Sequence, residues 1–270
     1  MAAWLSLLCT VDDLVEKKSP QVTMHALQQS MSILQSAGEP HGAWPELVPG
    51  PVRDKLTLRH SGDRLDNVHL ASKMSHVSQA LCCHVQPMLS ESTYSSFRAA
   101  ICDVWTGLIL ETELRQNSAP TITTYMVIRS CTIGLAPFFV LLKHSTLCEP
   151  RGKPCALEAL EQSISNIVGL QNDILGLEKD IENGEVMNFV VIASAGQIQG
   201  ETRIAKMESA RDAIMEAVRV HNSLVETAVK QWESLRSSST PGEPLIGNEL
   251  LGFIGRHFTW SASARRYQVF

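Results

Sequence analysis

The sequence predicts an all-α fold in a single domain, and three features indicate it. Apolar residues recur at spacings of three and four through most of the 270 residues, whereas the alternation typical of half-buried strands is scarce. The composition, 44% hydrophobic and 19% charged, supplies enough apolar side chains for one large core. No internal repeat and no shift in composition divides the chain, so we expect one helical-bundle domain over residues 1–270.

Helix ends are indicated by proline, glycine and serine. The first expected helix is broken near Ser19-Pro20, and a loop rich in proline and glycine follows over residues 38–66. Pro137 should kink or divide the most apolar helix, and Asn183-Gly184 should stop the clearest one. The expected helices cover residues 4–33, 68–89, 92–116, 121–144, 157–183, 202–235 and 248–263.

Composition excludes several classes of protein. A formal net charge of −5 argues against binding nucleic acid or anionic membranes, which favour basic proteins. The seven cysteines form no CxxC pair, so a disulfide framework or a structural zinc site is not expected. The apolar segment 1–9 lacks the basic start and the cleavage site of a signal peptide. No apolar run approaches the roughly 20 residues needed to span a bilayer. We therefore expect a cytoplasmic protein without a membrane span.

An acidic cluster lies near the N-terminus, at Asp12-Asp13-Leu14-Val15-Glu16. On a helix, Asp12 and Glu16 share a face because they are four residues apart, and Asp13 lies one step around the axis. Such a cluster suits Mg²⁺ bridged to phosphate oxygens, because this cation prefers a few carboxylates together with substrate and water. The alternative is an ordinary solvated helix turn. Its position after an apolar stretch, rather than inside a run of charges, favours the metal-binding interpretation.

A second polar cluster covers residues 172–180. Asn172, Gly176 and Asp180 follow one another at intervals of four, so they form one stripe along an otherwise apolar helix. A carboxamide oxygen and a carboxylate on one face are suitable magnesium ligands, and Lys179 adds a cation that would lie beside a phosphate. The alternative is the solvated side of an amphipathic helix. The residues alone leave these two interpretations about equally open.

Together, these clusters resemble the class I terpene synthases, of the fungal sesquiterpene synthase type. Asp12-Asp13-x-x-Glu16 is similar to the aspartate-rich motif of the family, and Asn172-Asp173-Ile174-x-Gly176-x-x-Lys179-Asp180 is similar to its second metal motif. Further similarities occur in the expected order. They are Tyr125-x-x-x-Arg129, which resembles the segment of the diphosphate-sensing arginine; Gln171 and Gly184-Glu185-x-x-Asn188, which flank the second motif; and Trp260 followed by Arg266-Tyr267, which resembles the C-terminal Arg-Tyr pair.

The resemblance implies a terpene cyclase that ionises a prenyl diphosphate, expected to be farnesyl diphosphate, and cyclises the carbocation. The implied cofactor is Mg²⁺, three ions with diphosphate bound and Mn²⁺ as a substitute, in a monomer or homodimer. The implied metal positions are Asp12, Asp13, Glu16, Asn172, Gly176 and Asp180. The implied diphosphate-binding side chains are Arg129, Lys179, Arg266 and Tyr267. Candidate pocket residues, each with core packing as its alternative role, are Trp105, Phe138, Phe139, Phe189 and Trp260.

This chain departs from the family pattern at several positions. Gly176 stands where the family usually has a hydroxyl ligand, and Asp180 is one methylene shorter than the usual Glu. Ser130 and Cys131 replace what is often a second arginine and an acid. Only 11 residues precede Asp12, whereas family members carry several helices there, so we expect an N-terminally truncated bundle. A non-catalytic remnant that binds diphosphate, or that serves only as an interaction module, therefore remains an alternative, and a chain-elongating prenyl transferase ranks lower.

Overall fold

The described residues of the computed structural model form α-helices and contain no strand. They are Leu8, Val11 and residues 18–36, 62–117, 120–146, 155–200, 202–237 and 242–264. The helices are α1 Pro20–Ser36, α2 Gly62–Val85, α3 Glu91–Asn117, α4 Ile122–Thr132, α5 Ala136–Thr146, α6 Cys155–Asn183, α7 Phe189–Ala193, α8 Arg203–Ser209, α9 Arg211–Leu235 and α10 Glu243–Ser263, with a 3₁₀ turn at Gln86–Met88. The expected all-α class is confirmed.

The chain divides into two compact units, residues 1–105 and 106–270. In the first unit α1 packs along α2, and the hydroxyls of Ser30 and Ser78 meet at 2.8 Å between them. Arg98 on α3 donates from Nη1 to the carbonyl oxygen of Leu34 at 2.9 Å, which caps the end of α1. Apolar side chains of the three helices are buried in this unit, including Leu27, Leu34, Met74, Phe97 and Ile101.

In the second unit the long helix α6 contacts α4, α7, α8, α9 and α10. One half of α6 packs into a cluster with α5, α9 and α10, which includes Phe138, Leu160, Ile164, Leu235 and Leu250. Its other half packs into a cluster with α4, α7 and α9, which includes Tyr125, Leu170, Phe189, Val190 and Ala217. The 172–180 segment lies on this second half, so its polar side chains emerge beside an apolar core.

The apolar segment 121–144 is divided, as expected, but the break lies before Pro137. Residues 133–135 separate α4 from α5, the two helices meet at a bend of 50°, and Gly134 takes a φ of 73°. Pro137 is the second residue of α5, where a missing backbone N–H costs no helical hydrogen bond. The left-handed glycine therefore ends the first helix, and the proline starts the second.

Three other boundaries differ from the expected ones. Residues 202–235 form two helices, α8 and α9, because the chain departs from the helix at Ala210. Helix α10 begins five residues earlier than expected, with a proline in its first turn, a position that the ring favours. The last residues of the expected loop 38–66 are the start of α2, whereas residues 37–61 lie outside the described residues. The short α7 was not predicted, because five residues are too few for a periodic pattern.

Within the described residues, no single helix has both the length and the apolar character needed to cross a bilayer. The bent pair α4–α5 meets both requirements when its helices are taken together, as buried core helices often do.

Candidate active site

The last turn of α4 carries Arg129 against α6. The N-cap Thr121 begins α4, accepting from Thr124 N at 3.2 Å, and the left-handed Gly134 lies just beyond its end. Arg129 Nη2 donates to Asp173 Oδ1 at 2.8 Å. Its aliphatic stem lies over Gly169, where an added Cβ would come 3.0 Å from Arg129 Cγ. The arginine that the family resemblance singled out therefore faces the helix of the second motif.

The Asp173 carboxylate accepts hydrogen bonds from three donors. Its side chain is 1% exposed, and Oδ2 accepts from Tyr125 OH at 2.6 Å and from Phe189 N at 3.1 Å, in addition to the Arg129 bond on Oδ1. Burial raises the pKa of Asp173, whereas Arg129 and the hydrogen bonds oppose that rise. No role was predicted for Asp173 or Tyr125. The signal for Tyr125 was the Tyr-x-x-x-Arg spacing, which places Tyr125 and Arg129 on one face of α4.

Asn188 connects the two ends of the second motif. It is fully buried, and Nδ2 donates to the backbone oxygen of Asp173 at 2.9 Å and to Asp180 Oδ2 at 2.8 Å. Its Oδ1 accepts from Val190 N at 2.9 Å, which caps α7. One side chain thus starts α7 and holds the Asp180 carboxylate in place. Asn188 belongs to a segment that resembles the family, but this role was not predicted.

A second ion-pair group lies beside this one. Arg115 Nη2 contacts Glu111 Oε1 at 2.8 Å and Glu185 Oε2 at 2.9 Å, so it joins α3 to the loop after α6. Glu185 Oε1 also accepts from Met187 N at 2.7 Å. Burial raises the pKa of Glu111. Glu111 and Arg115 were not predicted as site residues, because acidic and basic residues four apart on a helix are usually solvated.

Negative charge is in excess around Arg129. Asp173, Glu111 and Asp180 all interact electrostatically with its guanidinium, and together with Tyr125 they raise the pKa of Arg129 well above its ordinary value. Burial raises the pKa of Asp180 to about 6, and the nearby carboxylates of Asp173 and Glu185 add to that rise. The four carboxyl groups of Asp173, Glu111, Asp180 and Glu185 outnumber the two guanidinium groups of Arg129 and Arg115, an arrangement that a further cation would neutralise.

The donor set on α6 fits a hard divalent cation. Asn172 and Asp180 offer a carboxamide and a carboxylate oxygen from one stripe of the helix, the ligand type that Mg²⁺ and Mn²⁺ accept. Gly176, between them, has no side chain to offer. Within the described part of the chain, no three His, Cys, Asp or Glu side chains converge as a metal-binding group. A cation here would therefore take its remaining ligands from water, from a bound diphosphate or from other residues.

A string of partly buried polar groups lies next to the motif. Gln171 Oε1 pairs with His257 Nδ1 at 2.8 Å, and Gln171 Nε2 pairs with His221 Nε2 at 3.2 Å, so α6, α9 and α10 are joined. Because an amide oxygen only accepts, His257 carries its proton on Nδ1, and Ser261 Oγ lies 3.3 Å from the other ring nitrogen. Burial, with Arg129 nearby, lowers the pKa of His257 to about 4. This string was not predicted.

The aromatic candidates have different environments. Phe138 stacks on Phe253 at 5.2 Å between ring centroids, and His257 lies 5.9 Å from Phe253 and 6.2 Å from Trp260. These four rings form a continuous row from α5 along α10, and Trp260 is 54% exposed. Trp105, Phe139 and Phe189 are buried. The pocket role of all these residues remains a prediction.

Several predicted site residues lie outside the described residues. They are Asp12, Asp13 and Glu16 of the first motif and Arg266 and Tyr267 of the C-terminal pair. Their roles therefore remain predictions. Asn172, Lys179 and Asp180 are partly buried on α6.

The chain is similar to known proteins in sequence and in fold. Residues 3–231 match the family model described as terpene synthase family 2, C-terminal metal binding. The chain is 24% identical over 184 residues to germacrene A synthase of Nostoc punctiforme. The aligned region covers 64% of this chain and 53% of that protein. The match thus spans about half of that relative, and because it is not a fungal protein, the expected fungal type remains a prediction. In fold, the chain resembles a single-residue variant of cucumene synthase, with a TM-score of 0.56, 16% identity, and coverage of 92% of this chain and 74% of that one. The match to the family model extends over most of the chain, and the chain therefore belongs to the terpene synthase family.

Proposed function

We propose that the chain is a magnesium-dependent terpene cyclase that ionises farnesyl diphosphate and cyclises the carbocation to a sesquiterpene. The observation that carries this proposal is the position of Arg129, which Asp173 holds beside the Asn172–Asp180 stripe. The chain that carries this stripe matches a family model described as metal binding. An anion-binding arginine next to surplus carboxylates suits a ligand that arrives as a diphosphate together with metal ions.

Each site residue has a distinct task in this proposal. Asn172 and Asp180 hold a cation, and Arg129 donates hydrogen bonds to the diphosphate. Lys179 adds a positive charge on the same helix. Magnesium, when bound, supplies positive charge that stabilises the diphosphate as it leaves the allylic carbon. Three ions, with Mn²⁺ as a substitute, are part of the proposal.

The residues outside the described ranges complete the proposed site. Asp12, Asp13 and Glu16 are the proposed ligands of the other metal ions, and Arg266 and Tyr267 are the proposed further donors to the diphosphate. The aromatic row of α5 and α10 would face the carbocation, since ring faces attract cations. A cytoplasmic location and a monomeric or homodimeric state belong to the same proposal.

The direct test is turnover by the full chain. The protein is incubated with Mg²⁺ and geranyl, farnesyl or geranylgeranyl diphosphate, and extracts are analysed by gas chromatography with mass spectrometry. We expect a cyclic hydrocarbon or alcohol from farnesyl diphosphate that disappears with EDTA and with Asn172→Ala. A folded sample that yields no product above the EDTA blank overturns the proposal.

A second candidate function rests on Gly176. Because glycine offers no side-chain ligand, the metal site on α6 is one donor short of the family pattern. A protein that binds diphosphate without turnover is consistent with that gap. Calorimetry separates the two candidates, since magnesium-dependent pyrophosphate binding without product favours the second, and robust turnover removes it.

A further inference from the structure

Asp173 does not share the environment of its neighbour Asn172. A step of one residue turns a helix by about 100°, so the two side chains leave α6 in different directions. Asn172 is partly exposed, whereas the Asp173 side chain is 1% exposed and is surrounded by protein donors. Asp173 is not one of the expected metal positions, and of the two residues only Asn172 lies on the stripe with Asp180.

Both oxygens of Asp173 are engaged. Oδ1 accepts from Arg129 Nη2, and Oδ2 accepts from Tyr125 OH and Phe189 N, at distances between 2.6 and 3.1 Å. An ionised carboxylate has about four acceptor sites, and three are filled, two by side chains of α4 and one by the backbone at the start of α7. A residue fixed in this way by α4 and the start of α7 has little freedom to move towards a metal ion.

Asp173 does not use all the hydrogen-bond donors of Arg129. Its Nε is buried and has no hydrogen-bond partner within the described part of the chain, and Asp173 is bonded to Nη2 alone. A buried donor without a partner carries a desolvation cost, which an incoming acceptor would relieve. Because Gly169 removes any side chain beneath the arginine stem, Asp173 and the bare surface of α6 decide where the guanidinium lies.

We propose that Asp173 is a positioning residue rather than a metal ligand, and that with Tyr125 it directs the remaining donors of Arg129 at the diphosphate. The inference rests on the proposed function, because it assigns to Arg129 the same ligand. The chemistry that the site recognises is a diphosphate with its metal ions, and inorganic pyrophosphate reproduces it without the prenyl chain.

The experiment is a double-mutant cycle read out as pyrophosphate affinity. Binding is measured by calorimetry in saturating Mg²⁺ for the full-length wild type, Asp173→Asn, Arg129→Ala and the double variant. We expect Asp173→Asn to weaken binding about tenfold in the wild-type background and less than twofold in the Arg129→Ala background. A loss that is equal in both backgrounds overturns the proposal, because Asp173 would then act independently of Arg129.

The magnesium dependence separates the two roles of an acidic residue in this motif. We expect the Mg²⁺ concentration for half-maximal pyrophosphate binding to stay within about twofold of wild type in Asp173→Asn and to rise about tenfold in Asn172→Ala. A rise in Asp173→Asn as large as that in Asn172→Ala identifies Asp173 as a ligand and overturns the proposal.

Tyr125→Phe decides the matter if Asp173→Asn does not fold, since it removes one donor and leaves the ion pair. We expect Tyr125→Phe to weaken pyrophosphate binding about threefold in the wild-type background and to have no effect in the Arg129→Ala background. Tyr94→Phe is the control, because Tyr94 is a buried tyrosine of the first unit, and it should leave binding unchanged. Unchanged binding in Tyr125→Phe then overturns the proposal. Pyrophosphate binding through Arg129 and Asp173 without any terpene product removes the cyclase function and supports the inference. Absence of pyrophosphate binding in the wild type overturns both.

Discussion

The stem of Arg129 crosses α6 at Gly169, with no side chain between the arginine and the helix backbone. A Cβ built on Gly169 would lie 3.0 Å from Arg129 Cγ and 3.8 Å from its Nε. The glycine therefore allows the arginine to lie low on α6 and to reach Asp173, one turn further along the same helix.

Gly169→Ala should weaken pyrophosphate binding without destabilising the protein. The new methyl group pushes the Arg129 stem outwards, whereas alanine gains about 1 kcal/mol over glycine in a helix interior, which offsets the crowding. We expect the dissociation constant for pyrophosphate in Mg²⁺ to rise several-fold, with a midpoint of urea unfolding close to that of wild type.

Gly255→Ala is the matched control. Gly255 also lies within a helix, α10, and nothing lies within 4 Å of an added Cβ. This variant should be more stable by up to about 1 kcal/mol and should bind pyrophosphate as wild type does. Unchanged affinity in Gly169→Ala would refute the close packing of Arg129 on α6.

Gly134→Ala should destabilise the second unit. Gly134 has a φ of 73°, a conformation that costs a residue with a Cβ about 1–2 kcal/mol. Gly134→Asn should cost less, because asparagine tolerates the left-handed region better. Urea unfolding should rank wild type, Asn and Ala in that order of stability. Equal stability of all three would mean that the break between α4 and α5 does not need a left-handed residue.

The sequence contained the helices of this site but not their mutual arrangement. Periodicity located α6 to within two residues at its start and placed Asn172 and Asp180 on one stripe. It assigned no role to Asp173, because the partners of Asp173 come from other segments: Tyr125 is 48 positions away. Gln171 and His257 are separated by 86 positions. A periodic pattern identifies the face that is buried, whereas the partner of that face is fixed only by the packing of distant helices.

Asp180→Asn should make the metal-free protein more stable above pH 6. Burial raises the pKa of Asp180 to about 6 from an ordinary value of 3.8. As pH rises from about 4 to 6, the unfolded chain releases this proton first, so the folded state loses relative stability in that window and does not regain it above. Asparagine removes the buried charge, and we expect a gain on the order of 1 kcal/mol at pH 8 that shrinks towards pH 4.5.

The measurement is urea unfolding from pH 4.5 to 8 in EDTA, with Glu182→Gln as the control, since Glu182 is exposed on the same helix. Adding Mg²⁺ and pyrophosphate should reverse the order at pH 8, because ligand binding stabilises the wild type more than a variant that lacks a ligand oxygen. A variant that is less stable than wild type at pH 8 in EDTA would contradict the buried-charge argument.

His257→Asn should reduce the loss of unfolding free energy that occurs as pH falls from 6.5 to 4. Burial and the nearby Arg129 lower the pKa of His257 to about 4 from 6.5. As pH falls from 6.5 to 4, the unfolded chain therefore takes up this proton first, and the folded state loses up to about 1.4 kcal/mol per pH unit. Above pH 6.5 the histidine is neutral in both states, and the contribution of its bonds to Gln171 and Ser261 is fully present.

Asparagine places an amide N–H near the position of the histidine Nδ1, so the bond to Gln171 is retained while the titration is removed. We expect wild type to be more stable than His257→Asn at pH 7.5, because the ring packs on Phe253, and this advantage should shrink as pH falls to 4.5. The control is His144→Asn, an exposed histidine of the same unit, measured over the same pH range. Parallel profiles for wild type and His257→Asn between pH 6.5 and 4.5 would show that the partly buried imidazole takes up its proton as readily in the folded chain as in the unfolded one.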